Sequence, residues 1–270
     1  MPEVIYQVDA FTAIPFKGNP AGVFISEKPR DDDWMRQLAR EMNLSETAFL
    51  VPAEKYKDGY SLRWFTPTVE VDLCGHATLA SAHILWQEGF LPRDQEARFQ
   101  TRSGLLTARF CEGGWIALNF PVKKVEPALA PDGLLEGLKI ASARYIGLNK
   151  MDYLVELDNE EQVRSLQPDH SALRKVQVRG VMVTARASSS EFDFVSRFFA
   201  PGSGIDEDPV TGSSHTALTP YWSAKLGKKE MTACQASARG GVLKVVDLGE
   251  RVELRGQAVT IFKAELLNSR

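Results

Sequence analysis

The chain has 270 residues, 44% of them hydrophobic and 25% charged, an ordinary globular balance with room for two domains of common size. A net charge of -3 and a pI near 5.9 give no basic footprint, which argues against nucleic acid or an anionic membrane as a partner. No apolar run is long enough to span a bilayer and Met1-Pro2-Glu3-Val4 has no basic region or cleavage site, so a cytoplasmic protein is expected.

In chain order, Asp31-Asp32-Asp33 caps a helix running through Met42, with Trp34, Met35, Leu38, Ala39 and Met42 as its apolar stripe. Asn43-Leu44-Ser45 then turns the chain into a strand from Thr47 to Pro52. A strand end, Arg63-Trp64-Phe65-Thr66-Pro67, is followed by an acidic stretch and by Gly75-His76-Ala77-Thr78-Leu79-Ala80, the start of an Ala-rich helix. The hairpin of Leu105 to Phe110 with Trp115 to Phe120 closes the first half. Pro121 to Pro131 reads as the junction.

The second half repeats the first. Arg197-Phe198-Phe199-Ala200-Pro201 leads to Gly212-Ser213-Ser214-His215-Thr216-Ala217, and Val242 to Val246 with Arg251 to Leu254 make the closing hairpin. The pairs Phe65/Phe199, Gly75/Gly212 and Gln100/Gln235 differ by 134, 137 and 135 positions, a drift that small loop insertions explain. Asp169 to Val176 and Gly180 to Ala187 then match the first helix and strand. A period this long implies duplicated domains, assigned here to 1–124 and 125–270, with a cleft between similar lobes. Short loops make the strands largely antiparallel.

Differences between the copies point to chemistry, because duplicated scaffold residues should match. Glu46 has no counterpart: the same offset lands on Gly180. A lone acid at a helix-to-strand turn also reads as a solvated cap, so the asymmetry marks a candidate only. His76 is matched by Ser213, and a histidine at a helix start either packs or donates to a bound group. The segments Asp72-Leu73-Cys74-Gly75 and Glu207-Asp208-Pro209-Val210-Thr211-Gly212 each place carboxylates shortly before a glycine able to take positive φ and then expose the N–H groups of a helix start. Two such ends suit a small carboxylate. Trp86 and Trp222, at helical spacing behind them, read as core.

Four motifs in order, Phe11-Thr12-Ala13-Ile14-Pro15-Phe16-Lys17-Gly18-Asn19-Pro20-Ala21-Gly22-Val23, Asn43-Leu44-Ser45-Glu46-Thr47-Ala48-Phe49, Cys74-Gly75-His76-Ala77-Thr78-Leu79-Ala80 and Asp206-Glu207-Asp208-Pro209-Val210-Thr211-Gly212-Ser213, resemble the phenazine-biosynthesis PhzF-like isomerases along the full chain. The resemblance implies an α+β, diaminopimelate-epimerase-like fold: two similar pseudo-symmetric domains, each a mostly antiparallel β-barrel around a central α-helix, with the active site between them. It implies that Glu46 moves a proton with His76 and Asp208 assisting, and that Gly75, Gly212 and Ser213 support the substrate. Asn19 is a further candidate, although Gly-Asn-Pro equally reads as a turn.

The chemistry fits independently. Shifting a proton between carbons of an unsaturated hydroxy or amino acid needs one base that returns the proton as an acid. Enclosure would raise the pKa of Glu46, with His76 and Asp208 tuning it in opposite directions. Three scattered cysteines without Cys-x-x-Cys, no His/Cys cluster at ligand spacing and no Gly-x-x-x-x-Gly-Lys lead to the expectation of no metal and no cofactor. Two other functions compete. Cys74 could serve a thiol epimerase or racemase, although its counterpart Thr211 is a poor base, and a non-catalytic small-molecule-binding protein could have kept the cleft. A homodimer through barrel edges is compatible with the strand content.

Overall fold

The computed structural model describes residues 3–53 and 59–267, so Met1 and Pro2 of the amino-terminal reading lie outside the described residues. The chain divides into two compact units, Met1–Phe120 with Arg255–Arg270, and Pro121–Leu254. The α+β class expected from the sequence is the one observed. No described helix is long and apolar enough to cross a membrane.

The first unit contains β1 (Val4–Ala10), β2 (Asn19–Ile25), β3 (Glu46–Pro52), β4 (Tyr60–Phe65), β5 (Glu70–Val71), β6 (Ala97–Thr101), β7 (Gly104–Phe110) and β8 (Ile116–Pro121). β1 pairs antiparallel with β2 and with the chain's last strand, Ala258–Glu265. The pairs β2–β3 and β4–β6 are parallel, whereas β3–β4, β4–β5, β6–β7 and β7–β8 are antiparallel. Each parallel pair needs a crossover, and a helix supplies it. The first is α1 (Asp32–Met42), capped by Asp31, whose side chain accepts from the Trp34 N–H. Its apolar stripe packs on Phe24, Phe49 and Phe65. The second is α2 (Gly75–Gln87), whose 13 residues include 10 buried ones. A helix with no wet face must be central, and α2 lies against β1, β2 and β3.

The second unit repeats this pairing plan. β9 (Glu126–Pro127) and β10 (Tyr145–Leu148), with the short α3 (Leu134–Leu138) between them in the chain, pair antiparallel, as do β10 and β11 (Asp152–Glu156). β11 and β12 (Gly180–Arg186) are parallel, β12 and β13 (Phe194–Phe199) antiparallel, β13 and β14 (Glu230–Gln235) parallel, and β14 and β15 (Gly241–Asp247) antiparallel. The sequence parallel–antiparallel–parallel–antiparallel is therefore the same in both copies. The turn from β15 to β16 (Arg251–Gly256) is closed by the Leu248 N–H donating to the Arg251 carbonyl. The central helix here is α6 (Gly212–Leu226), with nine buried residues, among them Trp222, whose indole N–H donates to Thr184 Oγ1.

Register fixes which residues correspond. Thr47 faces Phe65 as Val181 faces Phe199, and Glu46 faces Ala21 as Gly180 faces Asp152. The repeated arginine makes the same fork in each copy: Arg63 to Glu70 at 2.8 and 2.6 Å, and Arg197 to Glu207 at 2.7 and 2.9 Å. Each guanidinium also lies over a repeated ring, Phe65 or Phe199. Glu70 and Glu207 are thus scaffold. Asp208, one residue on, corresponds to Val71 and is an addition of the second copy alone.

Three expectations need correction. The second copy does not run to 270: Arg255–Arg270 joins the first unit, because the last strand pairs along β1. The helix expected over Asp169 to Val176 is one turn, α5 (His170–Leu173), preceded by α4 (Glu160–Ser165), since Pro168 disfavours helix before it and Asp169 caps afresh on the N–H groups of Ser171 and Ala172. Gly75 and Gly212 do not use positive φ; each is the first residue of its helix.

Candidate active site

In the first unit, α1 ends at Asn43, whose left-handed backbone (φ 50°) turns its N–H back to the Ala39 carbonyl, and the chain enters β3 at Glu46. Because α2 packs on β2 and β3, its second residue, His76, meets that carboxylate: His76 Nε2 lies 3.4 Å from Glu46 Oε2. The contact is close but not a hydrogen bond, and Nε2 makes none. On the other side of the ring, Nδ1 is 3.5 Å from Cys74 Sγ. Glu46, Cys74 and His76 each place one donor atom within 4.8 Å of the other two. These three could hold an ion, a grouping that spacing along the chain conceals because Glu46 sits on a distant strand. Burial drives His76 down to about pKa 4, so its imidazole is neutral at neutral pH. Asn19, fully buried, begins β2 two residues before Ala21, the register partner of Glu46.

In the second unit, Asp208 is fixed from three sides. Its N–H donates to the Phe198 carbonyl at 3.0 Å, its carbonyl accepts from Gln235 Nε2 at 2.8 Å, and its Oδ2 accepts from Thr211 Oγ1 at 2.5 Å. Gln235 also accepts from the Thr211 N–H at 2.8 Å and is fully buried. Sequence comparison marked Gln235 only as a repeated residue; its bracing role needs the β13–β14 pairing to be seen. Neither Cys74 nor Thr211 caps its helix through its side chain, so the first-turn N–H groups at Gly75 and Gly212 have no intrahelical acceptor.

Ser213 Oγ accepts from Arg179 Nη1 at 2.9 Å, which leaves its own hydroxyl proton to donate elsewhere. Arg179 in turn forks onto the fully buried Asp152, with Nε at 2.7 Å and Nη2 on the second oxygen. Lys123 sits beside them, its Nζ 3.3 Å from Met151 Sδ. Burial and then Arg179 lower its pKa, while Asp152 opposes the shift. No motif pointed to Arg179 or Lys123. The structure thus brings Glu46 and His76 together in one unit and holds Asp208, Gly212 and Ser213 on one loop and helix start in the other.

His215 occupies the position of Thr78. Thr78 Oγ1 donates to the Cys74 carbonyl at 2.6 Å, and His215 Nδ1, facing the Thr211 carbonyl at 2.8 Å, must likewise be the donor. Burial lowers His215 to about pKa 4, against the pull of that carbonyl. The unfolded chain protonates it near its ordinary value of 6.5, so between pH 6.5 and 4 the unfolded state binds the extra proton. Stability should then fall with acidification by about 1.4 kcal/mol per pH unit for this group, with His76 acting in the same window. Urea unfolding across that range checks it: His215→Gln should flatten the slope by about that amount, and an unchanged slope would mean that His215 already carries a proton when folded.

Residues 8–264 match the family model described as phenazine biosynthesis-like protein, PhzC-PhzF. A Halalkalibacterium halodurans protein named as an isomerase is 53% identical over 264 residues, covering 97% of this chain and 98% of the relative. The crystal structure of a PhzF-family protein from Enterococcus faecalis superposes with a TM-score of 0.93 at 39% identity, covering 99% of this chain and 100% of the other. A probable proline racemase from Agrobacterium radiobacter, at 12% identity and a TM-score of 0.64, covers 98% of this chain and 93% of its own and shares the fold. Duplicated scaffold, motif order and these matches agree, and the chain belongs to the PhzC-PhzF phenazine biosynthesis-like family.

Proposed function

We propose that this isomerase moves a proton between carbons of a small unsaturated hydroxy or amino carboxylic acid, without a cofactor. Glu46 takes and returns the proton, His76 and Asp208 assist, and Asn19, Gly75, Gly212 and Ser213 hold the substrate. The observation that carries the reading is the carboxylate of Glu46 set 3.4 Å from a neutral imidazole, at a register position where the second copy has glycine. The imidazole, being neutral, adds no cation beside the carboxylate that would weaken it as a base. The Ser213 hydroxyl, with Arg179 occupying its oxygen, suits a substrate carboxylate as a committed donor. A cytoplasmic, biosynthetic role belongs to the same proposal.

A second reading, thiol epimerisation, has one observation in its favour, the 3.5 Å approach of Cys74 Sγ to His76 Nδ1. Its two-base form lacks a second thiol, since the counterpart of Cys74 is Thr211, engaged with Asp208. Small unsaturated and hydroxylated carboxylic acids incubated in D2O and followed by NMR test both readings. Enzyme-dependent carbon deuteration that persists in Cys74→Ala supports the carboxylate mechanism. Deuteration abolished in a Cys74→Ala variant of unchanged melting temperature selects the thiol, and no deuteration across the acid panel removes the proposed substrate class.

A further inference from the structure

Glu46, Cys74 and His76 combine an oxygen, a sulfur and a nitrogen donor, all within 4.8 Å of one another and all in the first unit. Cys74 and His76 are 6% and 5% exposed, and Glu46 keeps 15% of its side chain accessible. His76 Nε2 is buried, makes no hydrogen bond and faces the carboxylate. A buried ring nitrogen without a hydrogen bond, next to two anion-forming groups, is an arrangement that a cation completes.

We propose that these three residues form a divalent-cation site suited to zinc or a similar borderline metal, and not to magnesium or calcium. Zinc takes sulfur near 2.3 Å and nitrogen or oxygen near 2.0–2.2 Å, so two ligands of a tetrahedral site lie about 3.3–3.6 Å apart. The Cys74–His76 and Glu46–His76 separations of 3.5 and 3.4 Å already have that size. They use opposite ring nitrogens, so the metal takes one of them and the third donor swings in by side-chain rotation. Magnesium and calcium prefer all-oxygen shells and gain little from the thiol or the imidazole. Charge also balances: one carboxylate and one thiolate neutralise a 2+ ion, so a site this enclosed acquires no net buried charge. Binding exchanges the S–H bond of Cys74 for a sulfur–metal bond and releases that proton to solvent. Three protein ligands leave a fourth position for water.

One consequence rests on the proton-transfer reading. A metal that holds Glu46 and His76 removes the base and its partner together, so zinc should suppress deuterium exchange and a chelator should restore it.

Cobalt(II) titration of the full, chelator-stripped chain tests the site without any substrate. The expected result is one equivalent bound, with a near-ultraviolet thiolate-to-cobalt band and intense tetrahedral d–d bands that zinc bleaches and magnesium does not. Cys74→Ser should lose the thiolate band. Losing an outer-shell partner already costs a metal site about 10–100-fold in affinity, so Glu46→Gln and His76→Gln, checked for folding by circular dichroism, should weaken binding at least that much. Absence of the band, its persistence in Cys74→Ser, which would assign it to Cys111 or Cys234, or equal competition by magnesium overturns the site. Cobalt bound through Cys74 with exchange activity unaffected would uphold the site and remove Glu46 from proton transfer, so the two readings fail separately.

Discussion

Glu46→Gln should lower enzyme-dependent deuteration by about 10²- to 10⁴-fold, the usual scale for losing a general acid–base group. That corresponds to about 2.7–5.5 kcal/mol of barrier. The expectation follows from where Glu46 stands. Its backbone lies in register with Ala21 at the first residue of β3, held by the parallel β2–β3 pairing and by the left-handed cap at Asn43. Glutamine occupies the same space and sustains the same strand, so folding should change by no more than about 0.5 kcal/mol. What changes is basicity, because the amide cannot accept a proton from carbon. Near-normal exchange by a variant with an unaltered melting temperature would take Glu46 out of the mechanism. Glu46→Asp separates position from basicity: it keeps the carboxylate but retracts it from His76 Nε2 by one methylene. A partial loss in Glu46→Asp with a nearly complete one in Glu46→Gln is the pattern of a positioned base.

The duplication was legible because scaffold physics repeats itself. Arg63 and Arg197 each need a carboxylate fork and an aromatic face, and both copies supply them from matching positions, Glu70 with Phe65 and Glu207 with Phe199. Subtracting that repeated scaffold leaves Glu46 and Asp208 as unmatched acids: Glu46 was visible in the sequence as an asymmetry between the copies, whereas Asp208 was singled out by the family resemblance. Glu207 and Asp208, adjacent in the chain, could not be told apart without the ion pair of Arg197. The Glu46–Cys74–His76 group was legible only in part. Cys74 and His76 adjoin on α2, but Glu46 reaches them through the packing of α2 on β2 and β3, a relation that no spacing rule encodes. The carboxy-terminal strand was misassigned for a related reason: it follows β16 directly in the chain, and only its pairing with β1 places it in the first unit. Gln235 and Arg179 stayed hidden because each acts on a residue some distance along the chain, Thr211 and Asp152, through a contact made by folding.

Arg179→Met should destabilise the protein by about 3 kcal/mol, at the low end of the range for breaking a buried ion pair. Asp152 is fully buried and Arg179 forks onto both of its oxygens, while the Arg179 side chain keeps 28% of its surface exposed, so solvent moderates the loss. The cost lies in what remains: a carboxylate without its cation, in a place from which it cannot reach water. Methionine keeps much of the length and apolar contact of the arginine against the Phe198 ring, over which the guanidinium lies at 5.3 Å, so lost packing contributes little. Removing both charges together, in Arg179→Met with Asp152→Asn, should recover most of the stability, since the penalty comes from the orphaned charge. Urea unfolding of the two single variants and the double variant forms the cycle that measures the coupling. Lys123 provides a second reading. Arg179 lowers its pKa and Asp152 raises it, so Arg179→Met should move the Lys123 ammonium upward as it becomes the nearest countercharge to Asp152, a shift visible by NMR of the labelled side chain. A loss below about 1 kcal/mol together with an unmoved Lys123 would mean that Asp152 does not depend on Arg179, and that Ser213, bonded to the same guanidinium, is not oriented by a charged network.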